Sequence, residues 1–416
     1  MMLLNWRREG GPMQRIKSGL KLAAVLLCIF SLTACEKSEI NEHEDEYSVC
    51  QMGFTYMSGN PMIESPDGYY VFNGNFLNFY DKSLENPIVV CSRPECMHEN
   101  EPEDKRTECN AFFGSQTDLK YYNGFLYISA DAMKGDEACS IYKVSLDGSE
   151  REKIYTGAQG GGLQFVIYKG DIIVFEKQYK EDEVKAVLTR FPIRNPEEPN
   201  IIFESHDLED PYINRLEYDG DFLYFELSDY SENIENFNYR IDLKTNEALL
   251  FCDEMDNGFE IGNDRVIATK NIESNSENWT WVNEIYQYSK DGKKEKKLTE
   301  EDYPALGRGA SVQGVDGQYI YMADINYGAN ALPEEERYIY VYTYDGEEAA
   351  RVLQPGGTFE YIFPGSDDYM IVEGNDGESS AIYYKVDKYE FGSGRVLEAE
   401  EFLRVDPSNT DYSYSY

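Results

Sequence analysis

A short polar turn recurs along this chain between runs of aromatic and β-branched side chains. It falls at Asp67-Gly68, Asn123-Gly124, Lys169-Gly170, Asp219-Gly220, Asn263-Asp264, Asp316-Gly317 and Asp367-Asp368, at intervals of 56, 46, 50, 44, 53 and 51 residues. Asn, Asp and Gly tolerate the left-handed backbone that two-residue hairpins require, so each pair reads as a tight turn between antiparallel strands. A second turn follows inside most units, at Asp147-Gly148, Lys244-Thr245-Asn246, Asp291-Gly292 and Asp345-Gly346. It comes after strands such as Ile141-Tyr142-Lys143-Val144 and Tyr338-Ile339-Tyr340-Val341-Tyr342. No long stretch keeps a helical period. A lone four-stranded sheet cannot bury both faces, and its edges invite aggregation, so the units must stack on one another. The pattern predicts an all-β chain folded as a β-propeller of seven four-stranded blades. Six or eight blades, or a pair of β-sandwich domains, are the alternatives.

Composition supports stacking. With 35 Tyr and 21 Phe in 416 residues, the chain is rich in side chains that bury wide, flat surfaces at fixed geometry, and it is too apolar to be disordered as a whole. The 38 basic residues face 78 acidic ones, a formal charge of -40. Nucleic acid and anionic headgroups are thereby disfavoured as partners, because long-range repulsion opposes their approach.

The unit Tyr121-Tyr122-Asn123-Gly124-Phe125-Leu126-Tyr127-Ile128, followed by Ile141-Tyr142-Lys143-Val144-Ser145-Leu146-Asp147-Gly148, resembles the repeat of TolB-like, WD40-like extracytoplasmic propellers. Beyond its N-terminal segment the chain is also similar to propeller lipoproteins of unknown function from Gram-positive gut anaerobes. The resemblance implies fold and location more than activity. TolB docks partner proteins and does no chemistry, which by analogy of fold implies a binding role.

Arg15, Lys17 and Lys21 precede an apolar stretch over 22–32, which meets Leu32-Thr33-Ala34-Cys35. Such a core is too short to remain as a membrane-spanning helix and reads as a signal peptide over 1–34, with Met13 the better start. A small residue before Cys at its end resembles the lipobox of bacterial lipoproteins, where the Cys is diacylated and becomes the new N-terminus. Cys35 is then the lipidation site, and two acyl chains anchor stably. An ordinary secretory peptide with a chance Cys is the alternative. Residues 35–59 form an acidic tether carrying Glu36, Glu39, Glu42, Glu44, Asp45 and Glu46, an extended, self-repelling composition. The propeller occupies 60–405, and 406–416 reads as a frayed tail. The expected location is the extracytoplasmic face of the bacterial cell membrane, with the membrane engaged only through Cys35.

The one unusual chemical feature is Cys91-Ser92-Arg93-Pro94-Glu95-Cys96-Met97-His98, joined after ten intervening residues by Cys109-Asn110-Ala111. The propeller lipoproteins named above share this Cys, Cys-x-His, Cys-Asn-Ala arrangement. Three thiolates and an imidazole are a complete tetrahedral set for a structural zinc, and Glu95, Glu99, Glu101, Glu103 and Asp104 nearby favour a cation. Outside the cell thiols usually oxidise, so a disulfide-stapled loop, with Cys50, Cys139 or Cys252 as further partners, is the competing expectation. The cluster is expected after the outer strand of the first blade. It would share a face with the acidic loops at 179–183, 228–236, 271–277 and 326–336, and loops on a rigid scaffold are where binding usually resides.

Catalytic constellations are scarce. Only His43, His98 and His206 exist, so a Ser-His-Asp or Cys-His nucleophile has few possible bases. The glycine run at 157–162 lacks the strand-to-helix setting that phosphate binding needs and reads as an inter-blade connection. Lys293, Lys294, Lys296 and Lys297 read as a solvated turn. Trp279 and Trp281 are candidate ligand-binding residues, able to stack on a sugar, although Trp is more often a core or rim residue. The expected function is a surface-anchored binding or scaffolding module for a cell-surface protein or glycan. The alternative is a hydrolase or lyase acting on extracellular glycan with a concealed carboxylate pair.

Overall fold

The computed structural model describes residues 62–405 except 83–86, 101, 115, 131–137, 159–162, 181–182, 232–234, 252–258, 276–279, 325–332, 356–357, 366–367 and 376–380. The signal segment, Cys35, His43, the tether, Cys50, Cys252, Trp279 and the tail lie outside the described residues.

Six of the seven recurring turns join the inner strand of a blade to its second strand, Asp367 of the seventh lying outside the described residues, and the four second turns join third strands to outer strands. At Asn123-Gly124, Lys169-Gly170 and Asn263-Asp264 both residues take positive φ, between 48 and 85°. That conformation matches a two-residue hairpin to the right-handed twist of its strands. The result is seven sheets, spanning 62–89, 116–156, 164–204, 211–250, 259–298, 310–353 and 358–405. The expected seven-bladed propeller is the observed fold.

Burial explains why the sheets stack. In blade 4 the second strand, Phe222–Asp229, is buried from its second residue onward, whereas the outer strand, Glu247–Leu250, is exposed along its length. A sheet covered on both faces except at its rim requires a neighbour on each side. Apolar clusters accordingly bridge blades 1 and 2, 3 and 4, 4 and 5, 5 and 6, and 6 and 7. Blades 2 and 3 meet through Tyr155 stacked on Phe191, with centroids 4.9 Å apart. Each fully buried large apolar side chain contributes roughly 1.5–3 kcal/mol relative to exposure.

Among the described residues the four antiparallel strands of every blade come from one stretch of sequence, and no strand is exchanged between blades 7 and 1. The seam between blades 7 and 1 is held by side chains. Met62, Tyr69 and Val71 pack against Phe363, Ile371 and Leu403, and the Tyr369 hydroxyl donates to the Glu64 carboxylate. One blade departs from the four-stranded expectation. After its third strand, Ala381–Asp387, blade 7 lends Val396–Glu398 to blade 6, where it pairs in parallel with the outer strand Glu348–Leu353. The chain then returns as the outer strand of blade 7, Glu400–Val405. A buried ion pair fixes this crossover, with Lys388 Nζ 2.6 Å from Asp316 Oδ2.

Candidate metal centre at the propeller rim

Blade 1 carries the Cys/His loop inside its outer strand rather than after it. Ile88–Val89 pairs with Phe79 and Asn78 of the third strand, and Val90 N–H still donates to Leu77 O at 2.9 Å. The chain then leaves and returns at Ala111, whose carbonyl accepts from Leu77 N–H at 2.9 Å, while Phe112 bridges Phe76. Phe112 thus takes the position on Phe76 that Cys91 would have filled. Residues 91–110 are an excursion at the rim, closed at its base by strand pairing.

The excursion packs against blade 2. Cys109, Ala111 and Phe113 are fully buried among Phe72, Leu77 and Leu126, and Phe113 meets Phe72 and Tyr142 edge-on at 5.8 and 5.6 Å. Asn110 Nδ2 donates to Gly148 O at 2.8 Å. A Cβ on Gly148, whose φ is +66°, would lie 2.1 Å from Val90 O, so only glycine lets this turn approach the base of the loop. The loop therefore lies on the outer junction of blades 1 and 2, against the turn at 146–150. The four acidic loops do connect second strands to third strands, as expected, but the Cys/His loop is fastened at the rim.

Within the excursion Cys91, Cys96, His98 and Cys109 converge. Their four donor atoms all lie within 4.8 Å of one another, and Cys109 Sγ is 3.6 Å from His98 Nδ1. A tetrahedral zinc with ligand bonds of about 2.0–2.3 Å sets its donors roughly 3.5–3.8 Å apart, so the four need close by only about an ångström. His98 is positioned by a left-handed backbone, φ 52°. Residues 103–106 form a single helical turn, from which Cys109 N–H reaches Arg106 O at 2.9 Å. The four described cysteines are free thiols. This donor set is able to hold a structural metal ion.

The electrostatics of the three thiols differ. For Cys91 burial acts upward but is outweighed by the amides of Arg93 and Asn110 and by the Cys109 and Cys96 thiols, which leave its pKa lowered. Cys109 is pushed up to about 12, chiefly by burial. Three thiolates and a neutral imidazole around a divalent ion carry a net charge of −1. The charge of Arg151 is felt by both Cys109 and Cys91.

Arg151 also holds the loop directly. Its guanidinium donates to the carbonyls of Cys109 at 2.8 Å, Phe112 at 2.7 Å and Thr107 at 3.0 Å. Arg93 spans the two ends of the loop, contacting Glu95 Oε1 at 3.1 Å and donating to the Glu108 carbonyl. Of the acids expected to favour a cation, Glu95 is engaged with Arg93, Glu101 lies outside the described residues, and the side chains of Glu99, Glu103 and Asp104 are likewise not described. Sequence reasoning missed Arg151. One arginine opening a strand of another blade carries no local signal.

The remaining candidates stand apart from this centre. Trp281 lies on the third strand of blade 5, Thr280–Ser289, opposite Ser274. His206 is exposed just beyond the outer strand of blade 3. The glycine run follows the outer strand of blade 2 and precedes the inner strand of blade 3, with Ala158 N–H donating to Glu176 at 3.0 Å. Lys294, Lys296 and Lys297 lie on the outer strand of blade 5, where Lys294 Nζ sits 3.6 Å from the Tyr286 ring centroid.

No family model and no curated protein matches the chain. Among solved structures it is similar to a prolyl endopeptidase, with TM-score 0.54 and 12% identity over 88% of this chain and 51% of that one. The chain spans about half the length of that protein. It is also similar to TolB from Acinetobacter baumannii, with TM-score 0.40 and 13% identity over 83% of this chain and 81% of that one. A third is a polysaccharide lyase of the PL25 ulvan lyase family, with TM-score 0.49 and 11% identity over 85% and 96% of the two chains. At these identities the likeness is one of fold. Among the described residues no helix is long and apolar enough to cross a membrane.

Proposed function

We propose that this chain is a lipid-anchored propeller on the extracytoplasmic face of the bacterial membrane. It serves there as a binding or scaffolding module for a cell-surface protein or glycan, with a rim loop folded around a structural zinc. The observation that carries this reading is the convergence of Cys91, Cys96, His98 and Cys109 within 4.8 Å on a loop held by Arg151. A full set of four protein ligands leaves no open position for substrate, so the ion folds the loop rather than catalysing a reaction. The lipobox at Cys35 and the acidic tether support the location, and loops mounted on a rigid scaffold are suited to recognition.

The test is native and then denaturing mass spectrometry of the mature protein extracted anaerobically from its membrane. One zinc lost on denaturation, with Cys91, Cys96 and Cys109 alkylated as free thiols, is the expected result. Disulfides at those positions without metal would overturn the zinc. Binding to intact cells that survives excision of 91–110 would remove the loop from recognition.

A further inference from the structure

Around the propeller axis the innermost strands carry five charged side chains, three of them buried and two part-buried. Blade 2 contributes Asp118 and Lys120 from Gln116–Tyr122, and blade 4 contributes Arg215 and Glu217 from Pro211–Asp219. Blade 5 adds Glu260 from Phe259–Gly262. Asp118, Lys120 and Glu217 are 8, 2 and 8% exposed. Each of the two pairs follows a register shift, between Gln116 and Asp118 in one strand and between Ile213 and Arg215 in the other. Bulges of this kind re-aim side chains and gather near functional sites.

The hydrogen bonding of this cluster is unequal. Arg215 Nη2 donates to Glu260 Oε1 at 2.6 Å. Asp118 receives the amides of Phe165 and Leu119 and lies 3.0 Å from Lys120 Nζ. Beyond Asp118 the Lys120 ammonium has no hydrogen-bond partner among the described residues, and neither has Glu217 Oε1, which lies 3.8 Å from Arg215 Nε. A buried donor and a buried acceptor left over in one cluster are each costly unless something joins them. Both lie on inner strands, and the charge of Lys120 is felt at Glu217.

We propose that the propeller axis binds a small zwitterion of the α-amino acid type, its carboxylate on the Lys120 ammonium and its ammonium on the Glu217 carboxylate. A simple anion is repelled by a chain of formal charge -40, and a simple cation meets Lys120 and Arg215. A neutral molecule bearing both charges avoids both penalties and matches the two groups left over. The site is independent of the rim loop.

Protons report on the pairing. Burial first, then Glu260 and Asp219, raise Glu217 to about 8 against the opposing pull of Arg215 and Lys120. At pH 7 the carboxyl therefore holds its proton. When the ligand ammonium docks, the Glu217 O–H bond breaks and the proton leaves to solvent. Affinity rises with pH up to about 8.

The experiment is isothermal titration of the full mature chain with glycine and alanine at pH 7, in buffers of differing ionisation enthalpy, with acetate and methylammonium as single-charge probes. Alanine is expected to bind with proton release, and the single-charge probes at least about tenfold more weakly. Glu217→Gln and Lys120→Met should each weaken alanine by about tenfold or more with the fold retained by circular dichroism, and Glu217→Gln should abolish proton release. No binding by either amino acid, acetate binding as tightly as alanine, or undiminished affinity in both folded variants would overturn the proposal.

Discussion

The rim and the axis of this propeller both remove polar groups from water, and they do so by opposite routes. At the rim, loop 91–110 gathers three thiols and an imidazole within 4.8 Å, and the carbonyls at its base are taken up by a single arginine from the next blade. At the axis, charges from three blades meet, and two of them keep hydrogen-bonding capacity that no described residue meets. The rim is therefore built for rigidity, whereas the axis has unequal donors and acceptors of the kind that invites a ligand. Buried ionic groups contribute little net stability on their own, and the aromatic junctions between blades supply it.

Phe113→Ala gives the largest expected effect on this contrast. Phe113 is wholly buried at the base of the rim loop, and its removal should cost about 3–5 kcal/mol in urea unfolding. The loss should be the same at pH 5 and pH 8, because packing and not charge holds this position. A loss below about 1 kcal/mol would mean that the loop is not part of the blade 1–2 core.

At the axis the dependence on pH is the signature. The pKa of Glu217 is raised from 4.5 to about 8 by burial. The folded state therefore binds this proton more tightly than the unfolded one, and the associated stability is full below about 4.5 and is lost as pH rises toward about 8. Unfolding of wild type and Glu217→Gln across that window should diverge by up to a few kcal/mol, the variant being flatter. Parallel profiles would place Glu217 in contact with water.

Arg151→Met is the smallest change and bears on the rim alone. It strips three backbone carbonyls of their donor at a part-buried site, at an expected cost of about 1–3 kcal/mol. Hydrogen exchange should quicken across 107–113 and stay unchanged in the inner strands. Faster exchange in the inner strands as well would join rim and axis into one cooperative unit.

How much of this was legible in sequence depended on range along the chain. Inner turns such as Asn123-Gly124, Lys169-Gly170 and Asn263-Asp264 could be read because a two-residue hairpin needs residues that tolerate positive φ, a requirement met within the turn itself. The Cys/His cluster was visible because its members span only 91–109, a loop short enough to close at modest entropic cost. The insertion of that loop into the outer strand was not visible, since Phe112 replacing Cys91 on Phe76 is a choice of register. Nor was the loan of Val396–Glu398 to blade 6, because an outer strand and a returning connection have the same composition.

Sequence alone determined the all-β class, the seven-fold repeat and the local clustering of three thiols with an imidazole, because each rests on residues close together in the chain. Only the tertiary structure decided that Arg151 meets Cys109 across 42 residues, that Lys120 and Glu217 both lie on inner strands, and that side chains join blades 7 and 1 between Glu64 and Tyr369, 305 residues apart. Those contacts form between blades, and only the closing of the ring brings their residues into range.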